Sequence, residues 1–146
     1  MRLVVARQTS AVEPTVGTML RRGIVRHCPN CGSGHLFRHW FRMVDRCPRC
    51  GIRFEREAGF FLGAFVINFG VGEGLIAVLL FVFIVLESTN SHVSTTTFIV
   101  VAIVLSIIAA LFFYPFSKTI WAALDLAMNR PGPEELEEAA HHAATH

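Results

Sequence analysis

The residues with the clearest chemical potential are four cysteines that lie within a 23-residue segment. They form two copies of the motif Cys-Pro-x-Cys-Gly, at residues 28–32 and 47–51, with fifteen residues between the second and the third cysteine. Two residues between paired cysteines allow a tight turn that directs both sulfurs at one ion, and the glycine permits the positive φ that turns backbone N–H groups toward the thiolates. The pattern predicts that Cys28, Cys31, Cys47 and Cys50 together bind one metal ion.

The alternative to a metal site is a pair of disulfides. If a metal is bound, it is zinc or iron. Zinc is the usual ion in a closed tetrahedron of four thiolates, whereas a rubredoxin-like iron site uses the same ligands. A segment of about thirty residues is too small to be held by a hydrophobic core alone, so the metal is expected to stabilise its fold. Four thiolates leave no open coordination position, which argues against a catalytic metal.

The rest of the chain has the composition of a membrane protein. Of its 146 residues 53% are hydrophobic and only 16% are charged, with 13 phenylalanines and a mean hydropathy of +0.50. Residues 97–116 are long and apolar enough for a transmembrane helix. Residues 59–86 form a second apolar stretch, for which we predict a span over residues 67–86 and leave open whether residues 58–66 are interfacial or part of that span. A short polar turn at residues 87–96 would join the two spans into an antiparallel hairpin.

The distribution of charge predicts the orientation. Residues 1–57 contain eleven arginines and four acidic residues, the turn between the spans contains no Lys or Arg, and Lys118 and Arg130 follow the second span. Because cytoplasmic flanks collect Lys and Arg, both termini are predicted to be cytoplasmic. Thiols stay reduced in the cytoplasm, so the disulfide alternative is disfavoured.

The predicted fold is therefore a membrane α-helical hairpin of two transmembrane helices with an N-terminal cytoplasmic zinc ribbon. We divide the chain into a flexible arm (1–20), the four-cysteine ribbon (21–57), the membrane hairpin with interfacial segments (58–130) and an acidic flexible tail (131–146).

Two residues and one spacing inside the apolar segments are candidates for a polar or packing contact. Glu73 is the one ionisable side chain within an apolar span, where a charge is costly. We expect it either to make a proton, ion or partner contact, or to be an acid that snorkels to the interface or bonds to the second span, for example to Tyr114. Gly70 and Gly74 have the GxxxG spacing of close helix packing, which we expect to be with the protein's own second span rather than with a partner. The arginines favour an anionic membrane surface over a nucleic acid.

The motif set resembles a known family. Arg-Arg-Gly at residues 21–23, the two cysteine motifs, the Leu-Phe at residues 36–37 and the Asp-Arg at residues 45–46, followed by two apolar spans, are similar to the bacterial family catalogued as domain of unknown function 983. The resemblance covers about residues 20–126 and implies a small protein of the bacterial inner membrane. Gene neighbourhoods of some relatives suggest a respiratory setting.

No nucleophile–base pair, phosphate-binding loop or paired carboxylates stand out in the sequence, so we predict that the chain is not an enzyme. The leading hypothesis is a zinc-containing membrane protein that acts as an interaction or assembly factor for a larger membrane complex, with a membrane-protein partner and with homo-oligomerisation left open. The alternative is a membrane-anchored electron carrier with iron in the same sulfur site.

Overall fold

The computed structural model of the chain describes residues 14–57, 59–89 and 94–145. Within these ranges the structure contains four helices, α1 (Val16–Ile24), α2 (Leu62–Ser88), α3 (Thr95–Met128) and α4 (Pro133–Thr145). The four cysteines lie between α1 and α2 in a segment of turns and isolated β-bridges, which we call the cysteine module (residues 26–57).

Helices α2 and α3 pack against each other in antiparallel fashion. Near the start of α2 the Asn68 side-chain amide donates to the Ala110 carbonyl oxygen (3.2 Å), and near its end the rings of Phe83 and Phe98 lie 4.6 Å apart. Both helices are long and apolar enough to cross a membrane, and the apolar windows of both are unburied by the rest of the protein. This confirms two candidate spans by length and composition.

The helix bounds differ from the predicted spans. Helix α2 begins at Leu62, so residues 62–66, predicted to be interfacial or part of the first span, belong to the same continuous helix. Helix α3 continues for twelve residues beyond the predicted end at residue 116, to Met128, although Pro115 lies within it. Proline removes one backbone donor but fits where the freed carbonyl finds another partner.

The cysteine module and α1 pack against the extension of α3, residues 117–128. Buried residues along this part of α3 include Thr119, Ala123 and Leu126. Helix α1 begins with a cap in which the Thr15 hydroxyl oxygen accepts from the Thr18 N–H, and it buries Met19 and Gly23. These side chains join those of the cysteine module in a single core, made of Met19, Cys28, Leu36, Met43, Cys47, Ile52, Phe54, Ala122 and Leu126.

Close approach of α1 to α3 depends on Gly23. A Cβ atom at this position would lie 2.9 Å from the Ala123 Cβ and 2.9 Å from the Thr119 carbonyl oxygen, which is too near for both. The Thr119 hydroxyl donates to the Gly23 carbonyl oxygen (2.7 Å) across the same contact. The predicted boundary between a flexible arm and the ribbon, at residues 20–21, therefore falls inside a packed helix, while residues 1–13 lie outside the described ranges.

The acidic C-terminal segment is a helix and not the flexible tail that its composition predicts. Helix α4 begins at Pro133, carries Glu134 and Glu135 in its first turn, where the helix dipole favours negative charge, and buries Ala139 and Ala140. The Ala139 carbonyl lies against Gly51 of the cysteine module. The segment packs against the module through these buried alanines and through ion pairs with arginines of the module, as described below.

Candidate metal centre

Each cysteine motif forms the tight turn that its spacing predicts. In the first cysteine turn (28–32) the Gly32 N–H donates to the Cys28 carbonyl oxygen (2.8 Å), and in the second cysteine turn (47–51) the Gly51 N–H donates to the Cys47 carbonyl oxygen (2.9 Å). Both glycines have positive φ, 77° and 71°, a conformation that side chains with a Cβ disfavour. The two turns are therefore equivalent in local structure as well as in sequence.

The four sulfur atoms form one cluster. The Sγ atoms of Cys28 and Cys50 are 3.8 Å apart, those of Cys31 and Cys47 are 3.6 Å apart, and all four lie within 4.8 Å of one another. A tetrahedral zinc ion with Zn–S bonds of about 2.3 Å would separate its sulfurs by about 3.8 Å. The cluster has the size of a closed four-sulfur metal site, and its residues are those predicted from the sequence.

Proximity divides the thiols into two that ionise easily and two that do not. Hydrogen bonding from Cys28 lowers the pKa of Cys31 to about 6 and lowers the pKa of Cys47 further. Hydrogen bonds to the other three cysteines, together with burial, raise the pKa of Cys28. For Cys50 the hydrogen bond with Cys28 acts downward, but those with Cys31 and Cys47, together with burial, raise the pKa. The cluster thus favours the thiolate, which is the metal-binding form of cysteine, at Cys31 and Cys47 and the thiol at Cys28 and Cys50.

Polar side chains around the sulfurs hold the two turns in place, and the sequence reasoning did not identify them. The Arg22 guanidinium donates to the carbonyl oxygens of Pro29 (3.1 Å) and Asn30 (2.7 Å), which connects α1 to the first cysteine turn. The Asn30 amide lies 3.7 Å from the Cys50 sulfur, and the Ser33 hydroxyl lies 3.5 Å from the Cys47 sulfur. The signal for Arg22 was the Arg-Arg-Gly sequence before the first motif, which the family resemblance included without a role.

A hairpin between the two cysteine turns attaches the module to the apolar part of α3. Phe37 and Met43 form an antiparallel bridge, and the Trp40 indole N–H in the connecting turn donates to the Leu111 carbonyl oxygen (3.1 Å). In a regular helix the Leu111 carbonyl would accept a hydrogen bond from the N–H of residue 115. Because residue 115 is proline and has no N–H, this carbonyl lacks its helical donor. Arg26, at a left-handed φ of 60° just after α1, stacks its guanidinium on the Trp40 ring with 5.0 Å to the centroid.

The opposite side of the module is attached to α3 and α4 by charge. Arg46 pairs with Glu138 of α4, and Arg56 lies 3.3 Å from the Glu135 carboxylate and 3.6 Å from that of Asp125. The Arg56 guanidinium also donates to the Asn129 carbonyl oxygen (2.7 Å). Arg56 is mostly buried, with 14% of its side chain exposed, so these contacts are stronger than those of a solvated pair.

The structure does not bring Glu73 and Tyr114 together. With Asn68 opposite Ala110, Glu73 lies about 7.5 Å along α2 in one direction and Tyr114 about 6 Å along α3 in the other. Tyr114 instead packs against the ring of Phe41, with 5.6 Å between centroids. Glu73 is exposed on α2, on a side that α3 does not cover.

Gly70 and Gly74 do not pack against α3 either. A Cβ atom at either glycine would meet no other heavy atom within 4 Å among the residues that the structure describes. The predicted packing with the protein's own second span is therefore wrong, because α2 turns other residues toward α3. Gly63 lies against the Trp121 ring, Asn68 bonds to the Ala110 carbonyl, and Phe83 packs against Phe98.

Comparison with known proteins identifies the family. No curated protein and no solved structure matches the chain. A family model described as "Protein of unknown function (DUF983)" matches residues 37–125, which is more than half of the chain and includes the second cysteine turn, α2 and most of α3. The match begins after the first cysteine turn, later than the resemblance read from the motifs. The chain belongs to the DUF983 family.

Proposed function

We propose that the chain is an integral membrane protein in which a structural zinc ion holds the cysteine module rigid, and that this module serves as an interaction or assembly factor for a larger membrane complex. The observation that carries the proposal is the attachment of a closed four-cysteine cluster to the extended end of a long apolar helix. We propose no catalytic role for the metal, since four thiolates complete a tetrahedral ion.

The exposed surface of the helical hairpin supports membrane insertion. Large apolar side chains such as Phe65, Phe81 and Ile108 are more than half exposed, and they belong to a continuous apolar surface on both helices. Soluble monomers rarely expose apolar patches of more than a few hundred Å². A lipid bilayer would cover this surface, and the arginine-rich cysteine module would then lie on the cytoplasmic side.

The position of Glu73 supports a partner within the membrane. It is the twelfth residue of the 27-residue α2, near the middle of the helix, and it faces away from α3. A carboxyl group at this depth is costly in lipid and is ordinarily satisfied by a polar partner. Gly70 and Gly74 flank it on the uncovered side of α2, where a second helix could approach closely.

Purification from native membranes in a mild detergent tests the proposal. We expect a colourless protein with one zinc ion per chain that elutes together with another membrane protein. A red protein with thiolate-to-iron absorption would instead support the electron carrier. A chain that elutes alone at every expression level would contradict the assembly role.

A matched pair of variants tests the membrane contact. Glu73→Leu is expected to lose the co-eluting protein while it keeps the zinc. Glu87→Leu, which removes the acid at the end of the same helix, is expected to keep both. Equal retention of the partner by the two variants would exclude Glu73 as the contact.

A further inference from the structure

The hairpin of the cysteine module ends in two exposed aromatic side chains. Residues 38–42 form its tip, closed by a hydrogen bond from the Arg38 N–H to the Arg42 carbonyl oxygen (3.0 Å). Trp40 is 41% exposed and Phe41 is 50% exposed, although both rings are large and apolar. The tip therefore presents apolar surface that the protein itself does not cover.

This tip lies beside the uncharged part of α3. The Trp40 ring packs against Phe112, with 5.7 Å between centroids, and its N–H is bonded to the Leu111 carbonyl. The Lys118 ammonium donates to the Phe41 carbonyl oxygen (3.2 Å). Leu111 precedes Lys118 by seven residues, or about 10 Å of helix. The Trp40 side chain thus contacts α3 about 10 Å along the helix from Lys118, on the side of the apolar segment.

Positive charges flank the aromatic tip. The side chains of Arg38 and Arg42 are exposed at the two ends of the turn, and among the described residues neither makes an ion pair with a carboxylate. Exposed aromatics with adjoining arginines have the composition of a surface that contacts the boundary between acyl chains and phosphates.

We propose that the tip, residues 38–42, is a lipid-binding anchor. Trp40 and Phe41 insert between the acyl chains and headgroups of the leaflet that surrounds residues 111–118 of α3, and Arg38 and Arg42 bind the phosphates of anionic phospholipids there. The inference rests on the membrane-spanning arrangement of the proposed function, because the tip lies at the depth of the acyl chains only if the neighbouring part of α3 spans the bilayer.

Fluorescence quenching by brominated phospholipids tests the depth of the tip. The full chain with Trp121→Phe retains Trp40 as its one tryptophan and is reconstituted into nanodiscs of equimolar phosphatidylglycerol and phosphatidylcholine. Bromines near the carboxyl end of the acyl chains are expected to quench Trp40 more than bromines near the methyl end. Absence of quenching by either lipid would overturn the proposal.

A second single-tryptophan chain separates this failure from a failure of membrane insertion. Ile76→Trp, combined with Trp40→Phe and Trp121→Phe, places the probe on an exposed position near the middle of α2. Bromines near the methyl end are expected to quench this probe most. Quenching here without quenching of Trp40 would refute the anchor alone, whereas absence of quenching at both positions would refute the membrane-spanning arrangement too.

The arginine contact is tested by the lipid retained after delipidation. The double variant Arg38→Gln/Arg42→Gln is expected to lose phosphatidylglycerol relative to phosphatidylcholine by about fivefold for each arginine removed. The control Arg49→Gln/Arg53→Gln removes the same charge from exposed positions of the module outside the tip and is expected to retain the lipid. Equal losses in the two double variants would show attraction by net charge only and would overturn the site.

Discussion

The hydrogen bond between Trp40 and α3 offers the most discriminating test of how the cysteine module is attached. Pro115 has no N–H, so the Leu111 carbonyl cannot receive its usual helical bond, and the Trp40 indole N–H takes that place at 3.1 Å. If this is the reason for the contact, removing the Trp40 indole should lower the free energy of unfolding much less when residue 115 can supply its own N–H.

The perturbation is a double-mutant cycle with Trp40→Phe and Pro115→Ala. Phenylalanine keeps an aromatic ring beside Phe112 and Arg26 but removes the donor, and it leaves a carbonyl unsatisfied at a cost of about 1–3 kcal/mol. In the Pro115→Ala background the helix bonds this carbonyl itself, so the same change is expected to cost at least about 1 kcal/mol less. Losses of ring packing occur in both backgrounds and cancel.

The assay is equilibrium unfolding of the zinc-loaded chain in mixed micelles with increasing dodecyl sulfate, followed by far-ultraviolet circular dichroism. Trp121→Phe, which leaves the hydrogen bond intact, serves as the control for loss of an indole. Equal costs of Trp40→Phe in the wild-type and Pro115→Ala backgrounds would refute the idea that the indole replaces the missing helical donor.

Three further predictions concern the metal centre and its support. At pH 7 the metal-free protein should release about two protons on binding a divalent metal, because two thiols have lowered pKa values, and the number should rise as the pH falls below the value of about 6 for Cys31. Titration calorimetry in buffers of different ionisation enthalpy measures the number of protons released. Release of about four protons at pH 7 would indicate that the thiols titrate as they do in an unfolded chain. Gly23→Ala should destabilise the protein by about 1–3 kcal/mol in thermal unfolding, whereas Gly17→Ala, in an open part of α1, should not, and equal effects would contradict the close contact with α3. Arg22→Gln should speed zinc loss to a chelator about tenfold while Arg21→Gln leaves the rate unchanged; a normal rate for the first variant would mean that the two backbone contacts do not hold the turn.

The parts of the structure that could be predicted are those encoded in short stretches of sequence. Each cysteine turn needs only five consecutive residues, and the glycine φ values follow from steric freedom at residues 32 and 51. The two long helices follow from uninterrupted apolar runs. Bringing both turns to one cluster required only that the fifteen residues between them fold back, and the hairpin at residues 37–43 does so.

The attachment of the module could not be predicted, because its contacts join residues far apart in sequence. The bond from Trp40 to the Leu111 carbonyl spans 71 residues, and it arises from a proline whose effect on a distant tryptophan leaves no local pattern. The acids of α4 look solvated by themselves, and only the three-dimensional structure places Arg46 and Arg56 beside Glu138 and Glu135 and Gly51 beside Ala139. In the same way, the spacing of Gly70 and Gly74 indicates a close contact but not which side of α2 faces α3.

The contact between Gly23 and Thr119 spans 96 residues, and it sets an order of events during synthesis. At about 5–20 residues per second, α1 and both cysteine turns, which end at residue 51, are synthesised roughly 4–15 seconds before the end of α3 at Met128. During that interval Met19 and the rest of the buried side of α1 have no helix to cover them, while all four thiols are already present to capture a metal ion. Metal loading can therefore precede docking, and a nascent chain whose second span is delayed would present a folded but undocked cysteine module to chaperones and proteases.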